Sequence, residues 1–255
     1  MGTTGKALSL LDHFTSRRSV IGLSGLARLS EVNKATCFRL VSELVSAGLL
    51  EQEPATRAYR IGPGVLHLAA LREAAVPRRE AAQAVLRALA QQTGETAHLS
   101  HLVAGRLMTL GFAYAPVHGI RVSMEDADHL PFHATASGKA VLAHLPDDQR
   151  DAILSAPLPA LTPETVTDPA RLRAELTGIR RTGLSEARSS FEADVHSMAV
   201  PLFVSDGRCM GAVAIAIPVA RFAEAGPAAV AALRGAGNDI TALWGGAPPS
   251  MATGS

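Results

Sequence analysis

SEVNKATCFRLVSELVSAG, residues 30–48 of the chain, has the pattern of an amphipathic helix. Its apolar side chains recur at steps of three and four residues, as on a helix with one buried face. They are Cys37, Leu40, Val41, Leu44 and Val45. Asn33 is placed to cap the start of this helix, and Gly48 is placed to end it. Charged and polar residues, together with Phe38, occupy the opposite face.

Short segments on either side of this helix indicate its context. Residues 22–29, GLSGLARL, form a second amphipathic pattern only a few residues upstream, which predicts a helix-turn-helix. Downstream, residues 49–52 and 58–61 predict two short strands around a Pro-Ala-Thr-Arg turn. An ordinary surface helix also carries charges, so it is these flanks that favour a winged helix-turn-helix that binds double-stranded DNA.

Three motifs, in this order and spacing, resemble the IclR family of bacterial transcriptional regulators. They are NKATCFRL at residues 33–40, GLLEQEPATRAYRIG at residues 48–62 and HATASGKA at residues 133–140. The likeness extends from Lys6 to about Trp244. It implies a dimeric or tetrameric repressor or activator whose C-terminal GAF-like domain binds a small, often acidic metabolite. Phe38 stands where relatives often have a polar residue such as His, so no base preference is carried over.

Side chains expected to contact DNA lie on the recognition helix, on the helix before it and on the wing. They are Ser24, Asn33, Lys34, Thr36, Phe38, Arg39, Arg57, Tyr59 and Arg60. The whole chain carries a net charge of only +1, but the charge is unevenly spread. Residues 1–62 contain eight Lys or Arg against five Asp or Glu, which is +3, and the rest contains 16 against 18, which is −2. A basic N-terminal part and a slightly acidic remainder suit a protein in which the N-terminal domain contacts phosphates.

At 255 residues the chain is long enough for two domains, each with its own core. The expected parts are a winged helix-turn-helix domain over residues 1–62, a linker helix over 63–77, a GAF-like domain over 78–245 and a disordered tail over 246–255. The linker helix is a candidate dimerisation surface, which would make the protein a homodimer or homotetramer. Its Val65, Leu68 and Leu71 could equally belong to an intrachain core.

The C-terminal part predicts an α+β domain with helices on the faces of an antiparallel sheet. From residue 95 the period becomes alternating, which predicts strands over residues 96–103, 106–113 and 120–124. Ser-Asp-Gly-Arg at residues 205–208 separates two apolar runs and predicts a hairpin. The other predicted elements are strands over residues 197–204 and 209–217 and helices over residues 6–14, 78–92, 135–145, 147–154, 169–181 and 220–243.

HATASGK, residues 133–139, is the stretch of the body most suited to ligand binding. Unpaired N–H groups at a helix start carry partial positive charge, and small side chains let a carboxylate approach them. On the residues alone, a plain helix cap by Thr135 or Ser137 is an equal alternative, and the resemblance favours the ligand. The candidate effector-binding residues are Met108, Met124, Thr135, Ala136, Ser137, Gly138, Glu192, His196, Ser197 and Met198. Gly138 in particular is expected to leave space for the carboxylate.

Catalytic motifs are absent from the sequence, which has no G-x-S-x-G, H-E-x-x-H or C-x-x-C pattern. An enzyme is therefore not expected. The alternatives are a small-molecule enzyme or metal-dependent hydrolase on a GAF-like body, and a DNA-associating protein without a ligand. His133 and His196 could meet across the fold, but no third ligand is signalled by spacing, so neither a metal nor another cofactor is expected.

Composition also bears on location. The longest apolar run, residues 210–217, is too short to span a bilayer, and no apolar signal segment follows Lys6. Cys37 and Cys209 alone do not suggest a disulfide scaffold. These features predict a cytoplasmic protein without a membrane partner.

Overall fold

The computed structural model describes residues 2–116, 119–124 and 129–247 of the chain. It divides into two compact units, Met1–Pro77 and Arg78–Ser255. Most of the predicted disordered tail, from residue 248 onward, lies outside the described residues.

Helices and one small hairpin make up the first unit. Its elements are α1 (Thr3–Ser9), a 3-10 helix (Leu11–His13), α2 (Leu23–Leu29), α3 (Lys34–Ser46), β1 (Leu50–Gln52), β2 (Tyr59–Ile61) and α4 (Gly64–Ala75). The predicted helix over residues 6–14 is therefore divided, because regular α-helix ends at Ser9 and the tighter 3-10 turn follows.

The core of the first unit forms around α3. Its buried side chains are Cys37, Leu40, Val41 and Leu44, which pack with Leu10, Leu26 and Leu50. Val45, which the periodicity also placed on this face, is 36% exposed. The Asn33 Oδ1 accepts a hydrogen bond from the Thr36 N–H at 2.9 Å, so the predicted N-cap is confirmed. Gly48 follows the helix with φ of +71°, a conformation that glycine adopts without strain.

A five-stranded antiparallel sheet with helices on both faces forms the second unit. Its elements are α5 (Arg78–Thr93), β3 (Thr96–Val103), β4 (Arg106–Ala113), α6 (Ala136–Leu142), α7 (Asp147–Ser155), α8 (Pro169–Thr182), β5 (Ser185–Arg188), β6 (Val195–Phe203), β7 (Cys209–Pro218) and α9 (Val219–Leu243). The strand order is β4-β3-β7-β6-β5. This arrangement confirms the predicted α+β class, and the β6–β7 hairpin forms at the Ser-Asp-Gly-Arg turn.

Each face of this sheet has its own core. On one face, side chains of α6, α7 and α8 such as Leu142, Leu154 and Leu172 pack against the strands. On the other face, α5 and α9 supply side chains such as Leu86 and Leu233. Successive residues of a strand point to opposite faces, so neighbouring buried residues of a strand belong to different cores.

Residues 120–124 do not form the predicted strand. Side chains rather than a neighbouring strand bind their backbone groups. The Val122 carbonyl accepts a hydrogen bond from the Thr96 hydroxyl at 2.9 Å, and the Met124 N–H donates to the Tyr114 hydroxyl at 3.1 Å. The sheet also gains a strand that the sequence pattern did not indicate, β5, whose four residues are too few to show a clear alternation.

Gly138 lies in α6 with its Cα against the backbone of the preceding loop. A Cβ at this position would lie 2.6 Å from the Phe132 Cα and as near to backbone oxygens of the loop, which cannot move as a flexible side chain can. We therefore expect Gly138→Ala to destabilise the protein by about 1–3 kcal/mol, the usual cost of overpacking. Urea denaturation of the full chain measures this change.

Gly178→Ala is the matched control, because Gly178 also lies within a helix but a Cβ there meets nothing within 4 Å. It is expected to be neutral or to stabilise by up to about 1 kcal/mol. Equal stability of the two variants would contradict the close contact at α6.

Candidate DNA-binding surface and effector pocket

The exposed face of α3 carries most of the residues expected to touch DNA. Lys34, Phe38 and Arg39 are exposed there, and Thr36 is half-buried near the helix start. Ser24 is exposed on α2. The Asn33 Oδ1 is already occupied by its capping bond, so this oxygen is not available to a base. The exposed face of α3 therefore presents two cations, Lys34 and Arg39, with the Phe38 ring between them.

The wing presents Arg57 and Arg60 in different ways. Arg57 is exposed in the turn, where its backbone adopts φ of +61° and its carbonyl accepts a hydrogen bond from the Gln52 amide. Arg60 lies opposite Glu51 in the β1–β2 ladder, and the two side chains form an ion pair. Because the charge of Arg60 is partly neutralised by Glu51, Arg57 is the better placed of the two to bind a phosphate.

Tyr59 does not belong to this surface, and the expectation that it contacts DNA is wrong. Its side chain is only 4% exposed and packs in the core of the first unit. Its backbone N–H and carbonyl are both bonded to Ile21, at 2.9 Å each. Tyr59 and Arg60 are neighbours on a strand, so they point to opposite sides.

A cavity in the second unit lies beside the start of α6. Its walls come from β3, β5, β6 and β7, from residues 122–124 and 130, and from the loop before β6. The lining residues are His98, Val122, Ser123, Met124, Leu130, Thr135, Ala136, Ser137, Ala187, Phe191, Glu192, Val195, Ser197 and Ala216. Its volume is about 40 Å³.

Six of the residues expected to bind an effector line this cavity. They are Met124, Thr135, Ala136, Ser137, Glu192 and Ser197. The structure thus brings the HATASGK stretch, the loop before β6 and one face of β6 together around one space.

Four of the expected residues lie elsewhere, and placing them in a common pocket was wrong. Met198 is buried in the core on the other face of the sheet, and His196, on the same side of β6, packs against the Phe222 ring at 4.6 Å between centroids. Both are neighbours of Ser197 along the strand, so all three cannot share one face. Met108 is 36% exposed on β4, and Gly138 faces the loop backbone.

His98 is the wall residue that the sequence did not single out. Its Nε2 lies 3.2 Å from the Ser137 hydroxyl, and its buried Nδ1 has no hydrogen-bond partner among the described residues. Burial lowers the pKa of His98 to about 4, so the ring is neutral near pH 7. Assigning faces to β3 would have found it, because His98 and Ser100 share the face that looks toward α6.

The start of α6 is partly capped from within the chain. The Thr135 hydroxyl accepts a hydrogen bond from the Gly138 N–H at 2.9 Å, as the plain-cap alternative required. Helix geometry leaves the N–H groups of Ala136 and Ser137 without an intrahelical acceptor. Lys139 turns away and pairs with Glu175 at 3.0 Å. No lysine or arginine occurs among the described residues that line the cavity.

The two histidines considered for a metal do not meet. The His133 Nε2 is bonded to the Pro159 carbonyl at 2.9 Å, whereas His196 packs on Phe222. Within residues 2–116, 119–124 and 129–247, no group of three or more His, Cys, Asp or Glu side chains is placed to hold a metal ion. Nor does any helix in those ranges combine the length and apolar character needed to cross a bilayer.

Comparison with known proteins adds independent evidence. The sequence model of the IclR helix-turn-helix domain family matches residues 3–54. The sequence model of the bacterial transcriptional regulator IclR C-terminal family matches residues 70–242. The crystal structure of an IclR transcriptional regulator from Silicibacter sp. TM1040 is 51% identical, with a TM-score of 0.94, over 98% of this chain and 99% of that one.

More distant relatives agree. An IclR homologue from Microbacterium hydrocarbonoxydans, crystallised with 4-hydroxybenzoate, is 29% identical, with a TM-score of 0.78, over 95% of this chain and 99% of that one. The transcriptional regulator SauR of Cupriavidus necator is 28% identical over 85% of this chain and 86% of its own. With its helix-turn-helix and its C-terminal effector-binding domain, the chain belongs to the IclR family of transcriptional regulators and is not an enzyme.

Proposed function

We propose that this protein is a repressor or activator that binds a specific operator through α3 and the wing. A small acidic metabolite in the cavity beside α6 modulates that binding, and the protein acts in the cytoplasm. The observation that carries the proposal is the cavity wall, where the neutral His98 ring and the Ser137 hydroxyl lie together at the start of α6. Polar groups at such a wall favour a ligand that can hydrogen-bond to them.

Cavity size favours a ligand with few heavy atoms. At about 40 Å³ the cavity has room for only a small molecule. This room suits a short-chain organic acid.

Cavity charge favours a monoacid over a dianion. The N–H groups of Ala136 and Ser137 and the hydroxyls of Ser137 and Ser197 can receive a carboxylate. No lining lysine or arginine is present to balance a second negative charge, and the exposed Glu192 disfavours it further. The 4-hydroxybenzoate bound by one relative is also a monocarboxylate.

We also infer that two or more chains bind the operator together, as a homodimer or homotetramer. Within the part of the chain that the structure describes, nothing buries any residue of helix α4. Its Leu66, Leu68 and Leu71 are 73%, 55% and 56% exposed. One DNA-binding domain, residues 1–62, with a net charge of +3 makes few phosphate contacts alone, and a dimer doubles their number. Sedimentation is expected to find at least two chains per duplex. One chain on a tightly bound duplex would contradict this inference.

Substitution of Arg39 tests the DNA-binding face. If Arg39 reads a base edge, Arg39→Ala is expected to cost about 1–3 kcal/mol of operator binding without unfolding the protein. Arg57→Ala is expected to weaken binding to all duplexes alike and to reduce the salt dependence, as loss of a phosphate contact does. Fluorescence anisotropy at several salt concentrations measures both effects.

Arg181→Ala is the control, because Arg181 is an exposed arginine of the second unit. It is expected to bind the operator as the wild type does. Unchanged affinity in both Arg39→Ala and Arg57→Ala would exclude this face as the DNA-binding surface.

Substitution of His98 tests the effector pocket. Calorimetry against a panel of monoacids of two to five carbons is expected to show binding to the wild type and its loss in His98→Phe, which removes the hydrogen-bonding wall. Met108→Leu is the control, because Met108 lies outside the cavity, and it is expected to bind normally.

The pH dependence of effector binding provides a second readout of His98. An ordinary histidine would change the affinity near pH 6.5. Because burial lowers the pKa of His98 to about 4, the affinity is expected to stay level from pH 8 to about pH 5.5. The absence of heat with every acid, or full binding by His98→Phe, would rule out this pocket.

A further inference from the structure

Phe38 is the one aromatic residue of α3, and 53% of its surface is accessible to solvent. We propose that its ring reads the C5-methyl group of thymine in the major groove, which makes Phe38 a specificity residue. This inference rests on the proposed entry of α3 into the groove. A single exposed apolar residue is common on protein surfaces, so it is the neighbours of Phe38 that distinguish this position.

The positions above and below Phe38 on the helix are small. Ala35 lies three residues before it and Ser42 four residues after it, and both are exposed on the same side of α3. The Ser42 hydroxyl donates a hydrogen bond to the Phe38 carbonyl at 2.8 Å, so this donor is turned back onto the helix. Ala35, Phe38 and the Ser42 methylene therefore form a stripe without a free side-chain donor.

Charge on both sides of the stripe fits a nucleic-acid partner better than a protein core. Lys34 and Arg39 flank it, and both are exposed. The Lys34 ammonium suits a phosphate and the Arg39 guanidinium suits a phosphate or a base edge, while the ring lies between them where base edges are presented. The stripe thus combines an apolar centre with basic edges.

Among the four bases, thymine alone presents a methyl group in the major groove. The other major-groove groups are hydrogen-bond donors and acceptors. A phenyl ring placed against them displaces water and returns no hydrogen bond, which is unfavourable. Phe38 is therefore expected to favour T and to disfavour G, A and C at the position it faces.

Deoxyuridine isolates this contact, because it differs from thymidine only by the missing methyl group. A high-affinity duplex is first selected from a random library with the full-length protein, and each dT is then replaced singly by dU. At the position facing Phe38 in each half-site, the substitution is expected to weaken binding about fourfold, the value of one buried methyl group. Other positions are expected to change little.

Phe38→Ala links the effect to this residue. Alanine is favourable at an exposed helix position, so α3 is expected to remain folded. The variant is expected to bind the dT and dU duplexes equally, whereas Arg57→Ala lowers the affinity and keeps the fourfold difference.

Two failures are distinguishable. If no sequence is enriched by selection, the proposed operator binding itself fails. If a sequence is enriched but no dU substitution weakens binding, or if Phe38→Ala keeps the same sensitivity, the thymine contact is overturned while the regulator function stands.

Discussion

Alternation along the antiparallel strands governs which side chains reach the cavity. Because both faces of the sheet are covered by helices, the buried side chains of a strand enter two different cores in alternation. On β6 this places Ser197 at the cavity and Met198 in the opposite core, and on β3 it places His98 beside Ser137. The polar wall of the cavity is thus a consequence of strand register, since a shift by one residue would exchange the two faces.

A buried ion pair supports another part of the cavity wall. Glu95 is only 3% exposed, and both its oxygens bind the Arg221 guanidinium at 2.8 Å. The same guanidinium donates to the Ile120 carbonyl at 3.1 Å, next to the residues that line the cavity. Loss of Arg221 would leave the buried Glu95 charge unpaired, which usually costs several kcal/mol. Residues 120–124 therefore depend on side-chain anchors rather than on a strand ladder.

Helix periodicity and capping were sufficient to predict α3, its Asn33 cap and four of the five residues expected on its buried face. These features depend on neighbours within four residues. The fate of residues 120–124 could not be predicted in this way, because Thr96, Tyr114 and Arg221 are distant in the chain. Gly138 was misread for a similar reason. Its missing side chain accommodates the backbone of the 131–132 loop, and only the folded structure brings that loop to α6.

In the proposed function, an acid and an operator bind the same protein, and each changes the affinity for the other. Operator affinity can be measured with and without a saturating acid, and acid affinity with and without saturating operator. Thermodynamic linkage requires the two ratios of affinity to be equal, and the expected common factor is about 5–150. If both ligands bind and both ratios equal one, the cavity is not the sensor of this regulator.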